Sequence, residues 1–182
     1  QEGGYSSSSL PPSPPSRAAE PSAGAGKPIL MEKPVERNLQ NARDLVDICA
    51  QHDVRLGIML QHRVRPVVDE LRRFLDDLGD IHVVEVSVPW WRDQTYYDAP
   101  GRGTSERDGG GVMISQAIHT LDLMLSLTGP VKTVSALAAT SKSHKMEAED
   151  FVSAGLRFAS GAVGHLFATT SAYPGRGETI TL

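Results

Sequence analysis

The sequence predicts an α/β (α+β) fold, in which a β-α-β unit is followed by a mixed, largely antiparallel open sheet covered by helices on one face. Three stretches carry that prediction. Residues 27–60, "KPILMEKPVERNLQNARDLVDICAQHDVRLGIML", run from a short apolar strand through an amphipathic helix to a second strand. Residues 111–127 form one apolar helix behind three glycines. "FVSAGLRFASGAVGHLFATTSAY" alternates on both sides of Ala159-Ser160-Gly161, as a hairpin does.

Taken in order, the chain opens on a segment of different texture. Twelve of the eighteen residues from Tyr5 to Ser22 are serine or proline, which leaves too little apolar surface to offset the entropy of ordering. Residues 1–26 are therefore expected to be disordered. After Gly26 a strand is expected at 29–31. The helix that follows has Asn38 as N-cap and Leu39, Ala42, Val46 and Cys49 as its buried face. A strand at 55–60 completes the unit. Pro66 opens a second helix with Val67, Leu71, Phe74 and Leu78 as its stripe, and Gly79 stops it. From Asp80 the pattern is sheet-like: "IHVVEVSVPWW" and "TVSALAAT" alternate, the hairpin follows, and "ETITL" begins a last strand. Long strands beside one apolar helix imply a sheet covered on one face.

Composition narrows the partners. The 182 residues are 40% apolar, enough for a core, and the net charge of −4 comes without a basic block. Nucleic acid and anionic membrane surfaces are thus poor partners, and a small molecule is the expected one. Cys49 is the single cysteine, so there is no internal disulfide and no multi-cysteine zinc site, and a reducing, cytoplasmic setting is expected. No apolar run approaches the roughly 20 residues of a membrane span. The N-terminus has no basic segment followed by an apolar run, so no secretory signal is read there.

The helix at 111–127 carries more than a core face. Ile114, Ala117, Ile118, Leu121 and Leu125 form the apolar side, whereas Ser115, His119 and Asp122 stand at i, i+4 and i+7 on a polar stripe. Two readings stay open: a cleft wall presenting His119, or a structural histidine hydrogen-bonded to Asp122. A second signal is "MEKP", which places Lys33 between Glu32 and Pro34 just after an apolar strand, where open α/β sheets take their ligands.

Together, "AGKPILMEKPV", "WWRDQTYYDAPGRGT" and "GGGVMISQAIHTLDLML" resemble, in order and spacing, the glucose-fructose oxidoreductase and inositol dehydrogenase family, also called Gfo/Idh/MocA, from Ala25 to about Leu182. The resemblance implies a dehydrogenase with an N-terminal Rossmann domain for NAD or NADP. It also implies an α/β domain that binds sugar-like polyols and forms homo-oligomers through its open sheet. Glu32, Lys33 and Pro34 match the family's EKP motif, whose lysine contacts substrate and nicotinamide and whose Lys-Pro bond is often cis. His119 matches the catalytic acid/base, and Asp122 the carboxylate that commonly follows it. Arg92, Tyr96, Tyr97 and Arg102 fall in the loop that borders the sugar pocket. Two departures stand out: "APGRGT" lacks the tryptophan often found before the arginine, and Ser115 replaces the usual Asp or Asn.

The chemistry implied is oxidation of a secondary alcohol. His119, as a neutral imidazole with an ordinary pKa of about 6.5, takes the hydroxyl proton while hydride leaves for the nicotinamide. Lys33 stabilises the developing alkoxide, and Arg92, Tyr97, Arg102, Ser115 and Asp122 bind substrate. No metal is expected, because His119 and Asp122 lack companions at ligand spacing. By resemblance, residues 27–60 are the tail of the Rossmann domain and 61–182 a truncated substrate domain. Nothing before Lys27 reads as the G-x-G-x-x-G turn of a dinucleotide fold. An oxidoreductase and a non-catalytic sugar-binding or oligomerising remnant therefore both remain as readings.

Overall fold

The computed structural model describes residues 15–182, which divide between Ile58 and Met59 into two compact units. In the first, β1 (Ile29–Glu32) and β2 (Leu56–Met59) pair as a two-stranded sheet, with α1 (Pro15–Gly24) and α2 (Leu39–Gln51) packed together. Asn38 caps α2 by accepting from the Asn41 amide at 2.9 Å. Ala19, Leu45 and Cys49 form the buried cluster, flanked by Ile29, Met31, Val35, Val54 and Leu56.

Two expectations fail in this unit. Residues 15–24 were expected to be disordered with the rest of 1–26, yet they form α1, with Ala19 and Ala23 buried. The Ser/Pro content masked two small residues four apart, of which Ala19 packs with Leu45 and Cys49. Residues 1–14 lie outside the described part. The face assigned to α2 is also shifted: Leu39 and Val46 are exposed, at 65% and 53%, and Leu45 and Cys49 are the buried pair. A sheet of two strands covers one narrow stripe, so the flanking apolar positions stay in solvent.

The second unit holds a 3-10 turn (Gln61–Val64), α3 (Pro66–Leu78), β3 (Val83–Pro89), α4 (Gln94–Tyr97), α5 (Ser105–Asp108), α6 (Val112–Ser115), α7 (Ile118–Thr128), β4 (Val131–Ala139), β5 (Phe151–Phe158), β6 (Val163–Thr169) and β7 (Thr179–Thr181). The sheet order is β4-β5-β6-β3-β7, parallel between β3 and β6 and antiparallel elsewhere. Alternation sends Val84, Val86, Val88, Ala154, Leu166 and Ala168 to one face, where Val112 of α6, Met124 of α7 and Ala117 between the two helices cover them. None of the helices among the described residues is long and apolar enough to cross a membrane.

Two further expectations change here. In α3, Val67, Phe74 and Leu78 are 63–70% exposed and Val68 is the buried residue. The covered sheet face is already filled by α6 and α7, and α3 packs mainly on the 3-10 turn. The single helix expected at 111–127 is broken in two. The Ala117 amide reaches back five residues to the Val112 carbonyl (2.8 Å), a π-type turn that inserts one residue between α6 and α7.

Close approaches in the sheet give a direct test. A Cβ on Gly164 would lie 2.2 Å from the Val84 carbonyl oxygen, whereas one on Gly155 meets nothing nearer than 3.9 Å. Gly164→Ala should therefore lower stability by about 3 kcal/mol, the upper range for overpacking. Urea denaturation should find Gly155→Ala within about 1 kcal/mol of the parent.

Candidate active site

His119 is placed by the first turn of α7 and is 8% exposed. Its ring lies 5.3 Å from that of His62, on the 3-10 turn, at an interplanar angle of 37°. His62 is itself buried and faces Glu178 (Nε2 to Oε1, 3.5 Å), whose other oxygen accepts from Trp90 Nε1 at 3.0 Å. Burial, helped by Arg65, pushes His62 below its ordinary pKa against the pull of Glu178 and Asp122. His62 is thus a neutral neighbour at neutral pH.

Asp122 stands three residues on from His119 in α7 and is held from the 3-10 turn. Both its oxygens are taken by Arg63, whose Nε and Nη2 donate at 2.5 and 2.6 Å. This bidentate pair ties α7 to the 3-10 turn. Asp122 thus has Arg63 as a structural partner. Ser115 also leaves its expected stripe, because the π-type turn rotates it relative to His119. Its hydroxyl meets the Gly111 carbonyl at 2.5 Å and Gln116 Oε1.

A second group assembles beside Gln116. Its Nε2 donates to the Tyr96 hydroxyl at 3.3 Å, and the Tyr96 ring has the guanidinium carbons of Arg92 and Arg102 at 5.5 and 4.7 Å from its centroid. The predicted loop thus brings Arg92, Tyr96 and Arg102 together. Tyr97 is a correction: it is 7% exposed, its hydroxyl pairs with Thr170 Oγ1 at 2.7 Å, and its ring packs on His144 at 4.7 Å. Burial pushes its phenol above the ordinary pKa. Successive residues of a short helix point in different directions, so Tyr96 and Tyr97 cannot both face a ligand.

The two groups are held by residues that the sequence reading did not single out. The carboxylate of Glu149 accepts from the Gly111 and Met113 amides at 3.0 and 3.2 Å, and its carbonyl accepts from Val112 at 2.8 Å. Gly111 is required there, since a Cβ would fall 1.7 Å from that carbonyl oxygen. Asp150 is wholly buried and accepts from the Ser141 amide and hydroxyl and from the Ser171 hydroxyl, each at 2.7 Å. His144 Nδ1 meets it at 2.6 Å, while His144 Nε2 donates to the Arg92 carbonyl at 2.8 Å. Burial pushes the Asp150 carboxyl up, but the hydrogen bonds from Ser141, Ser171 and His144 together hold it below its ordinary value.

In the first unit, Glu32 ends β1, Lys33 and Pro34 follow it directly, and the Lys33-Pro34 peptide is cis. Among the described residues no group of three or more His, Cys, Asp or Glu side chains is arranged to hold a metal ion.

Comparison with known proteins finds a family profile, the GFO/IDH/MocA C-terminal domain, matching residues 68–182. The rhizopine catabolism protein MocA of Rhizobium meliloti is 34% identical over 125 residues, 66% of this chain and 36% of its own. The D-xylose dehydrogenase of Paenarthrobacter nicotinovorans is 29% identical over 140 residues, covering 69% and 36%. Among solved structures, the WlbA dehydrogenase of Bordetella pertussis in complex with NADH and UDP-GlcNAcA superposes with a TM-score of 0.84 at 35% identity, over 91% of this chain and 50% of that one. The chain spans half or less of the length of these relatives.

Asp150 supplies a pH signature. Its folded pKa lies below the unfolded one, so its network stabilises the protein at neutral pH, and that contribution fades as pH falls through about 4 and on past the folded value. Asp150→Asn should cost about 3 kcal/mol at pH 7. The gap between parent and variant in urea denaturation should narrow steadily on acidification; a constant gap would show that the charge is not what matters.

Proposed function

The chain belongs to the GFO/IDH/MocA family, and from that premise we propose that it forms the substrate half, with the tail of the nucleotide-binding half, of an NAD(P)-dependent oxidoreductase acting on a CH-OH group of a sugar or sugar nucleotide. The observation that carries this reading is His119: a buried imidazole at the start of α7, beside a second imidazole that stays neutral. A neutral His62 lets His119 take a proton without a like charge 5.3 Å away. Arg63 on Asp122 and Glu149 on the start of α6 keep the helix in place, so the base is oriented before substrate arrives.

The residues fit the cofactor at one end. Glu32, Lys33 and Pro34 stand at the C-terminal end of β1, where open α/β sheets take ligands. Among the described residues no glycine-rich turn leads from a strand into a helix, so the pyrophosphate has no cradle in this part of the polypeptide. NAD or NADP, when bound, supplies the hydride acceptor. His119 removes the hydroxyl proton, and Lys33 is the cation of the first unit to which the same reading assigns stabilisation of the alkoxide. Arg92, Tyr96 and Arg102 contact the substrate. The open sheet face, with Leu137 and Val163 exposed, is the proposed surface for homo-oligomers. The buried thiol of Cys49 suits a reducing, cytoplasmic setting.

The test is made on the native polypeptide that carries this chain. His119→Ala should lower kcat by about 10²–10⁴-fold, the usual worth of general acid–base catalysis, with little change in cofactor affinity. Initial rates of NADH formation and unfolding curves are read together. A variant that is less stable but fully active per folded molecule would make His119 a core residue and remove the catalytic reading.

A further inference from the structure

The loop beside Gln116 concentrates positive charge that the protein does not neutralise. Arg92 and Arg102 come from different segments, the first just after β3 and the second from the turn closed by the Arg102 amide on the Ala99 carbonyl at 2.9 Å. Both are partly buried and both lie against the ring of Tyr96. Among the described residues neither guanidinium has a carboxylate within 4 Å, in contrast to Arg63, Arg72, Arg73 and Arg107. The Arg92 side chain donates to the Trp91 carbonyl at 3.1 Å, and Arg102 Nε is buried without a hydrogen-bond acceptor among the described residues.

Carboxylates are not scarce on these segments; they are committed elsewhere. Asp93 caps α4 through the Tyr96 amide, Asp98 holds Gln94, and Asp108 accepts from the Gly103 amide. Glu149 and Asp150 are used as described above. Two partly dehydrated guanidiniums on one ring are costly unless an anion joins them, and the planar fork of arginine matches carboxylate and phosphate oxygens. The arrangement is also built in advance. The Arg92 amide donates to the Thr170 carbonyl at 2.8 Å and its own carbonyl is held by His144, while Gln116 links Tyr96 to the helix pair that carries His119.

We propose that Arg92 and Arg102 clamp an oxyanion of the substrate, carboxylate or phosphate, so that the sugar acted on is an acidic one and not a neutral polyol. This rests on the sugar-oxidising reading above and narrows it. The shared chemistry is an oxyanion on a sugar, and the two sources are separated by the choice of probe.

The experiment is calorimetric titration of the full chain with D-glucuronate, D-glucose 6-phosphate, D-glucose and inorganic phosphate. At least one of the two anionic sugars should bind ten-fold or more tightly than glucose, with affinity falling as salt rises. Glucuronate preference identifies a carboxylate, and glucose 6-phosphate preference a phosphate. Arg92→Gln with Arg102→Gln should abolish the preference, Arg92→Lys should restore part of it, and Arg72→Gln on α3 should leave it intact. Melting curves within a few degrees of the parent exclude misfolding as the cause. Equal binding of glucose and the anionic sugars, a preference that survives the double variant, or no binding by any probe overturns the clamp. Inorganic phosphate binding as tightly as the anionic sugars, and lost in the double variant, would keep the clamp and remove the sugar reading beneath it.

Discussion

Two adjacent carboxylates at the start of β5, Glu149 and Asp150, reach different parts of the second unit and set the candidate site between them. Glu149 takes up amides at the beginning of α6 that no helical carbonyl can satisfy. Asp150 collects three serine donors and an imidazole in a place without solvent. Asp150, wholly buried, does not tolerate loss of its partners, because an unmatched buried carboxylate is far costlier than an unmatched neutral group, and partly buried Glu149 loses the helix-start amides if it is removed. The backbone around them is therefore held to one arrangement.

From that junction the site follows. Glu149 fixes where α6 begins, the π-type turn at Ala117 fixes where α7 begins, and α7 carries His119 against the 3-10 turn. On the other side, Asp150 orients His144, His144 holds the Arg92 carbonyl, and the pairing of Trp91 with Ser171 closes the same loop. Bases and cations borne on flexible loops lose most of their value to misorientation. Here their main chains are fixed to the rigid sheet, so the side chains meet a ligand already arranged.

The sequence displayed the framework more fully than the connections. Alternation in "IHVVEVSVPWW" and in the hairpin around Gly161 is set by which face of each residue meets the core, and the structure keeps both. His119 was visible as a polar residue on an apolar helix, and Arg92 and Arg102 as members of one loop. What periodicity cannot carry is a change of period. The inserted residue at Gln116 and Ala117 turned Ser115 off the expected stripe and brought in Gln116. Pairings across long separations were equally hidden: Arg63 with Asp122 and His144 with the Arg92 carbonyl have no spacing that announces them. Tyr96 and Tyr97 are indistinguishable in the sequence, and only the packing of His144 decides which one faces inward. The exposed stripe of α3 shows the converse, an apolar pattern with no surface inside the unit to meet it.

If the Glu149–Asp150 junction governs the geometry, disturbing one half of it must loosen its own wall of the site more than it loosens the sheet. Amide hydrogen exchange by NMR on Asp150→Asn at neutral pH reads this residue by residue. The amides of Arg92, Ser141 and Ala172, bonded in the parent to the Thr170 carbonyl, the Asp150 carboxylate and the Trp90 carbonyl, should exchange much faster. Those of Val152, Ala154 and Leu166 in the core strands should lose protection only as far as the fall in global stability requires. Unchanged protection at 90–92 and 170–172, or an even loss across the whole sheet, would contradict the account.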